Sequence, residues 1–123
     1  MPSLSFQKRF CTRVEAGEKT HSIRPKRKHP EQWMPGRYVH LFFAMRTQYC
    51  RKLGVGVITQ LQDVWIFADH VEIDDRVIDE VDELDAFARA DGFESWDDFI
   101  PFFREFYGLP WNGDLIRWRV DRA

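Results

Sequence analysis

The sequence predicts an α+β fold, a mostly β core with helices at its start and in its second half. Three runs rich in aromatic and β-branched side chains predict the core strands: residues 37–45, 54–58 and 64–73. Apolar side chains at helical spacing predict helices over residues 81–88 and 99–106. No internal period indicates a repeat protein.

Length and composition predict one domain with a substantial core. The 123 residues are 44% hydrophobic and include eleven Phe and five Trp, and a chain of this size buries roughly two-thirds of its unfolded surface. The first fifteen residues lack the apolar run of a signal peptide, and no apolar run reaches the roughly 18 residues of a membrane span. We therefore expect a single domain, residues 1–123, in the cytoplasm, with Cys11 and Cys50 as reduced thiols.

The chain begins with a predicted strand and a short helix. Residues 4–6 predict the strand. Phe6, Phe10 and Val14 then form one apolar stripe of a helix that ends at Gly17.

The middle of the chain predicts the strands of a barrel. Proline and glycine make residues 25–36 an irregular loop, after which residues 37–45 predict a central strand. Residues 46–53 resemble an insertion into the strand pattern. Gly54 and Gly56 allow the bend that a closed barrel needs.

The second half predicts two helices and a closing strand. The helix over 81–88 is expected to stop at Asp91–Gly92, because glycine after the last turn is a common C-terminal cap. Ser95 is the predicted N-cap of the next helix, and Pro101 predicts a kink or a late start there. Residues 116–120 alternate apolar side chains with arginine and predict the last strand.

Charge divides the chain into a basic and an acidic half. Residues 1–62 contain twelve Lys and Arg against three Asp and Glu, whereas residues 63–123 contain six against seventeen. The asymmetry predicts either a basic face for a polyanion or attraction between the two halves in the folded protein. Lys26, Arg27 and Lys28 lie in a proline-bracketed loop and are candidates for phosphate contact.

The densest polar chemistry lies in residues 17–24, where cations, hydroxyls and an imidazole follow a glycine. Alternate side chains of an extended segment share a face, so Thr20, Ser22 and Arg24 are expected to point one way. Lys19 is expected on the other face unless the turn redirects it, and the carbonyl dipoles of the preceding helix are expected to keep it protonated. Charge-assisted donors beside a hydroxyl suit a phosphate, a nucleobase or an acyl oxygen.

Two elements occur together in this chain. The first is Gly-x-Lys-x-x-[Thr/Ser/Glu]-x-Arg at residues 17–24, and the second is Phe-Ala-x-x-[Asp/Glu]-Gly-Phe at residues 87–93. With them, the chain resembles an ASCH domain of the PUA-like superfamily over nearly its whole length. The residues that carry the resemblance are Phe10, Val14, Gly17, Lys19, Thr20, Ser22, Ile23, Arg24, residues 85–93, residues 103–108, Ile116 and Trp118. The resemblance implies a small β-barrel of about five to six strands flanked by helices, with a cleft associated with RNA and modified nucleosides.

This chain also resembles a small ASCH-type amidohydrolase, which removes the acetyl group from 4-acetylcytidine. The catalytic set of that enzyme consists of a lysine, a hydroxyl residue three positions later and a distant carboxylate. The resemblance implies these catalytic roles for Lys19, Ser22 and Asp91, with the lysine as base for the hydroxyl. Threonine and glutamate occupy the family positions where this chain has Ser22 and Asp91. Asp91 has a second interpretation, as the residue that ends a helix before Gly92.

Three functions fit these residues. The first is binding of RNA or a modified nucleoside through phosphate-binding cations and a stacking ring. The cations are Lys19, Arg24, Lys26, Arg27 and Lys28, and the candidate rings are Tyr38, Trp33 and Tyr49. The second is hydrolysis of an acylated nucleoside, and the third is ribonuclease activity in which His21 or His29 transfers a proton.

The expected partner is RNA or a modified nucleoside, and no membrane is expected. The histidines and cysteines match no recurrent metal-ligand spacing, so the sequence predicts neither a metal nor a cofactor. The acidic residues 72–75 are interpreted as a solvated turn.

Overall fold

The computed structural model describes residues 2–121 and shows a curled mixed sheet with three helices among them. The elements in chain order are β1 (Ser3–Phe6), α1 (Cys11–Glu15), β2 (His21–Arg24), β3 (Tyr38–Phe43), β4 (Arg51–Ile66), β5 (Val71–Ile73), β6 (Arg76–Ile78), α2 (Val81–Ala90), α3 (Trp96–Tyr107) and β7 (Trp111–Val120). Short 3-10 turns, Lys8–Phe10 and Pro30–Trp33, precede α1 and β3. The predicted α+β class is confirmed.

Strand β4 organises the sheet because it is long enough to pair with three other strands. Its first part is antiparallel to β3 and its last residues are antiparallel to β5, while β7 lies along its other edge. Strand β1 pairs in parallel with β3, β2 is antiparallel to β7, and β6 forms a hairpin with β5. The seven strands curl into a half-barrel.

The strands differ from the prediction in number and length. The resemblance implies five to six strands and the sequence pattern predicts a break inside β4, whereas the described residues form seven strands and β4 is continuous. A register shift between Ile58 and Gln60 marks a bulge, and the extra residue interrupts the apolar alternation there. Of the turn predicted at residues 72–75, the first two residues belong to β5, whereas Asp74 and Asp75 form the turn with positive φ. This turn joins β5 to β6 in a hairpin.

Two boundaries were also misplaced by the sequence pattern. Only residues 46–50 of the predicted insertion lie outside a strand, since β4 begins at Arg51. Strand β7 begins at Trp111, five residues before the predicted start at residue 116.

The helix ends follow the predicted capping residues. The Ser95 hydroxyl accepts a hydrogen bond from a backbone amide of the first turn of α3, at 3.3 Å. Gly92 lies just after α2 with φ of 96°. Helix α3 begins at Trp96 with Pro101 inside it, so the predicted late start is wrong. Pro101 has no N–H to donate to the carbonyl four residues earlier, so the helix lacks one backbone hydrogen bond at this turn.

Aromatic side chains of α2 and α3 form a large part of the core. The ring of Phe99, at its centre, lies 5.2 Å from the ring of Phe93, 5.3 Å from Phe103 and 5.8 Å from Phe87. The prediction of a ring-rich core is confirmed. Cys11 is buried, Cys50 is exposed, and both thiols are free. Within residues 2–121, no helix combines the length and apolar character needed to span a bilayer.

Gly113 lets β2 lie close to β7. Arg24 is the register partner of Asp114, the residue that follows this glycine. A Cβ atom at position 113 would lie 2.5 Å from the Arg24 carbonyl oxygen and 2.2 Å from the Trp111 ring. Glycine is therefore required where the strand that carries Ser22 and Arg24 meets its neighbour.

Candidate functional site

One cavity of about 260 Å³ collects four of the predicted site residues. It lies between β1, β2 and α3, beside the residues that follow α2. Half of its lining residues are aromatic, and these are Phe6, Phe10, Phe93, Phe102, Phe103, Phe106 and Tyr107. The charged and hydroxyl side chains predicted from the sequence are Lys19, Ser22, Arg24 and Asp91. The structure thus brings together the three predicted catalytic residues and one predicted phosphate-binding arginine.

Backbone hydrogen bonds hold the segment before β2 beside the end of α2. The amide of Thr20 donates to the carbonyl of Ala90 at 3.1 Å, and the amide of Trp118 on β7 donates to the carbonyl of Thr20 at 3.0 Å. These bonds place Lys19 next to Asp91, although 72 residues separate the two along the chain.

The Lys19 ammonium is buried and fully engaged. Its Nζ donates to Asp91 Oδ1 at 3.0 Å, to the Asp91 carbonyl at 2.6 Å and to the His21 carbonyl at 2.9 Å. The side chain is 3% exposed, and Nζ lies 5.1 Å from the centre of the Phe10 ring. Because Lys19 precedes β2, the turn directs it into the same cavity as Ser22, instead of onto the opposite face.

Burial shifts both members of this ion pair toward their neutral forms. It lowers the pKa of Lys19 below its ordinary value of 10.5, and attraction to Asp91 opposes the shift. Burial raises the pKa of the Asp91 carboxyl above 3.8. Burial thus opposes the effect that the sequence predicts for the helix dipole, which is small because α1 has only five residues.

Arg24 holds the hydroxyl of Ser22. Its Nε donates to Ser22 Oγ at 2.9 Å, and Nη2 donates to the Ser5 carbonyl at 2.9 Å. The guanidinium carbon lies 5.3 Å from the centre of the Phe6 ring. Since the Ser22 oxygen accepts this bond, its own hydroxyl hydrogen remains available for a ligand or a base.

The remaining predicted phosphate contacts lie outside the cavity lining. Lys26 forms ion pairs with Asp63 and Asp114, and the second has an N to O distance of 3.0 Å. Arg27 donates from its side chain to the Pro25 carbonyl. Lys28 is exposed. The basic loop is therefore held partly by carboxylates of the acidic half, which is the second of the two predicted consequences of the charge asymmetry.

The three candidate stacking rings also lie outside the cavity lining. Trp33 is buried, with the Arg27 guanidinium carbon 5.3 Å from its ring centre, so it is not available to stack on a base and this prediction is wrong. Tyr38 is exposed and lines a separate depression, and Tyr49 is exposed on the turn before β4. The rings that face the cavity come instead from β1, α3 and their neighbours. The sequence signal that could have identified these cavity rings was the helical spacing of Phe102 and Phe106, which places both on one face of α3.

His21 is a buried neighbour of the ion pair. Its side chain is almost completely inaccessible, its ring packs 4.9 Å from the Phe87 ring, and Nε2 lies 3.4 Å from Asp91 Oδ1. Neither ring nitrogen forms a well-aligned hydrogen bond within residues 2–121. Burial lowers the pKa of His21 well below 6.5, with the positive charges of Lys19 and Arg117 adding to the shift.

The neutral His21 predicts a loss of stability in mild acid. As the pH falls through about 6.5, His21 takes up a proton in the unfolded chain but not in the folded protein. The contribution of His21 to the free energy of unfolding is therefore complete above about pH 6.5 and is lost below it. At one pH unit below about 6.5, the loss of unfolding free energy reaches about 1.4 kcal/mol. We expect His21→Leu to reduce the fall in unfolding free energy between about pH 7.5 and pH 5.5 in urea titrations. The exposed His29→Gln is the control, and equal pH slopes in wild type and His21→Leu would contradict the prediction.

Within residues 2–121, no group of three His, Cys, Asp or Glu side chains is arranged to hold a metal ion. Comparison with known proteins finds no match among family models, curated proteins or solved structures. The geometry of the cavity and the resemblance of the motifs are therefore the basis for a functional proposal.

Proposed function

We propose that this protein binds a single modified nucleoside, with the base between the aromatic walls of the cavity and an acyl oxygen at its polar end. One observation carries the proposal: Lys19, Ser22, Arg24 and Asp91 converge at a cavity whose walls are otherwise mostly aromatic. Specific small-molecule sites commonly combine apolar walls with a few placed polar groups. The similarity of the motifs to those of ASCH domains supports a nucleoside as the ligand.

The size of the cavity favours a nucleoside over a long RNA strand. Its volume of about 260 Å³ is close to the lower end of the range for small-molecule sites, about 300 Å³. A strand of RNA would need several available phosphate contacts along a groove. Lys26 is instead held by Asp63 and Asp114.

Binding of 4-acetylcytidine and cytidine, measured by titration calorimetry, tests the proposal. We expect 4-acetylcytidine to bind with little dependence on salt, because the ligand is neutral. We expect Lys19→Met to weaken binding about tenfold or more, because it leaves Asp91 and two carbonyls at the polar end of the cavity without the donor that positions them. Lys28→Met, which changes an exposed cation outside the cavity lining, is the matched control. Circular dichroism establishes that each variant is folded. Absence of nucleoside binding, or equal affinity in wild type and Lys19→Met, would overturn the proposal.

A second candidate function, amide hydrolysis at the same site, is favoured by the state of Ser22 and Lys19. The lowered pKa of Lys19 and the raised pKa of Asp91 reduce the free-energy cost of moving a proton from the ammonium to the carboxylate. After that transfer the neutral amine would serve as a base for the Ser22 hydroxyl, whose oxygen already accepts a hydrogen bond from Arg24. The Ser22 oxygen would attack the acyl carbon, the carbon–nitrogen bond would break, and the amine would leave with a proton. Water would then hydrolyse the acyl-serine.

Chromatography of the same mixtures separates binding from hydrolysis. Hydrolysis predicts release of cytidine and acetate by the wild type, loss of at least about a hundredfold of the rate in Ser22→Ala, and partial retention in Ser22→Thr. Binding without product release would assign the site to recognition alone. Neither His21 nor His29, the two histidines predicted to transfer a proton in a ribonuclease, lines the cavity.

A further inference from the structure

Arg24 is a cation without a carboxylate partner within residues 2–121. The cavity lining contains two cations, Lys19 and Arg24, and one carboxylate, Asp91. That carboxylate is the partner of Lys19 at 3.0 Å. The polar end of the cavity thus has one positive charge in excess. A partly buried charge that lacks a counter-ion is costly, which suggests that the ligand provides the counter-ion.

The guanidinium has donors left for such a ligand. It carries five N–H hydrogens, of which Nε uses one on Ser22 and Nη2 uses one on the Ser5 carbonyl. Three remain, including both on Nη1, and two of them are enough for the paired hydrogen bonds that arginine makes to a carboxylate or a phosphate. The bonds to Ser22 and Ser5 fix the group in place, so little conformational entropy is lost on binding.

The position of Arg24 indicates which part of the ligand carries the anion. Arg24 holds Ser22, the hydroxyl that faces the acyl group in the proposed function, so the anion belongs to the acyl end of the nucleoside. A 5′-phosphate belongs to the sugar, which is remote from the acylated exocyclic nitrogen. We infer that the preferred ligand is a nucleoside whose N-acyl group ends in a carboxylate, and that Arg24 binds this carboxylate. The inference rests on the proposed nucleoside-binding function and extends it to a substrate class.

A matched pair of ligands tests this charge preference directly. N4-succinylcytidine ends in a carboxylate, and N4-succinamoylcytidine has nearly the same shape but ends in a neutral amide. We expect the wild type to bind the carboxylate at least about tenfold more tightly in calorimetry at low salt, and the preference to shrink as salt is added. Arg24→Gln, which keeps an amide donor near Ser5, is expected to abolish the preference. Arg27→Gln, which changes a cation outside the cavity lining, is expected to retain it.

The outcomes separate this inference from the proposed function. Binding of 4-acetylcytidine that depends on Lys19, without any preference for succinyl over succinamoyl, would overturn the inference and leave the proposed function intact. Tighter binding of the 5′-monophosphate of 4-acetylcytidine, again without a succinyl preference, would also overturn it, by placing the anion at the sugar. If no cytidine derivative binds, both ideas fail. The comparison of the two ligands on the wild type decides the matter even if Arg24→Gln does not fold.

Discussion

Asp91→Ala is expected to lower the free energy of unfolding by about 3–5 kcal/mol, because it leaves the Lys19 ammonium buried without its counter-ion. Lys19→Met alone is also expected to destabilise, since it leaves the Asp91 carboxylate and two backbone carbonyls without their donor. The double variant contains neither charge. We therefore expect it to be more stable than the sum of the two single effects predicts, with a coupling energy of about 1–3 kcal/mol.

Urea unfolding of the four proteins at neutral pH measures this coupling energy. The matched control is the exposed ion pair between Arg51 and Glu15, whose N to O distance is 2.9 Å. Exposed pairs are screened by water and contribute at most about 1 kcal/mol. A coupling energy for Lys19 and Asp91 no larger than that of the control would show that the buried contact does not hold the site together.

Phe99→Ala is expected to cost about 3–5 kcal/mol of unfolding free energy, whereas Phe106→Ala in the same helix is expected to change it by less than about 0.5 kcal/mol. Phe99 is 0% exposed, and its ring packs against the ring of Phe87 on α2 and the ring of Phe93 in the segment between α2 and α3. Phe106 is 58% exposed and lines the cavity. The two substitutions remove the same number of atoms, so their difference measures burial.

Ligand binding is expected to reverse the order of these two variants. Loss of a stacking ring weakens nucleobase binding by about 1–3 kcal/mol, so Phe106→Ala is expected to bind 4-acetylcytidine about tenfold more weakly while remaining folded. Thermal unfolding and calorimetry on the two proteins give both quantities. Equal stabilities would contradict the assignment of Phe99 to the core, and unchanged affinity in Phe106→Ala would exclude this ring from the binding site.

Local signals in the sequence were sufficient for much of the fold. Capping at Ser95 and Gly92 and the β-prone run of β3 depend on neighbours a few residues away, and all three are present in the structure. The continuous course of β4 was not predicted, because a bulge near Ile58 and polar residues after it remove the alternation that marks a strand. Backbone pairing with β7, which lies near the C-terminal end of the sequence, keeps this part of β4 in a strand.

The site was predictable in composition but not in electrostatics. The two motifs predict Lys19, Ser22, Arg24 and Asp91 as site residues, and all four line one cavity in the structure. Nothing local to Lys26 predicts that carboxylates 37 and 88 residues away hold it. The shift in the pKa of Lys19 depends on burial beneath aromatic rings, which only the tertiary structure determines.

The order of strands brings the two ends of the described chain close together. The Pro2 carbonyl accepts a hydrogen bond from His40 on β3, the Asp121 amide donates to Val55 on β4, and these two strand residues are register partners. Residues 2 and 121 are therefore about three strand spacings apart, roughly 15 Å along the sheet. A linker of about five residues would join them. Circular permutation with new termini in the exposed residues 46–50, outside the cavity lining, would keep every strand pairing and the cavity residues unchanged.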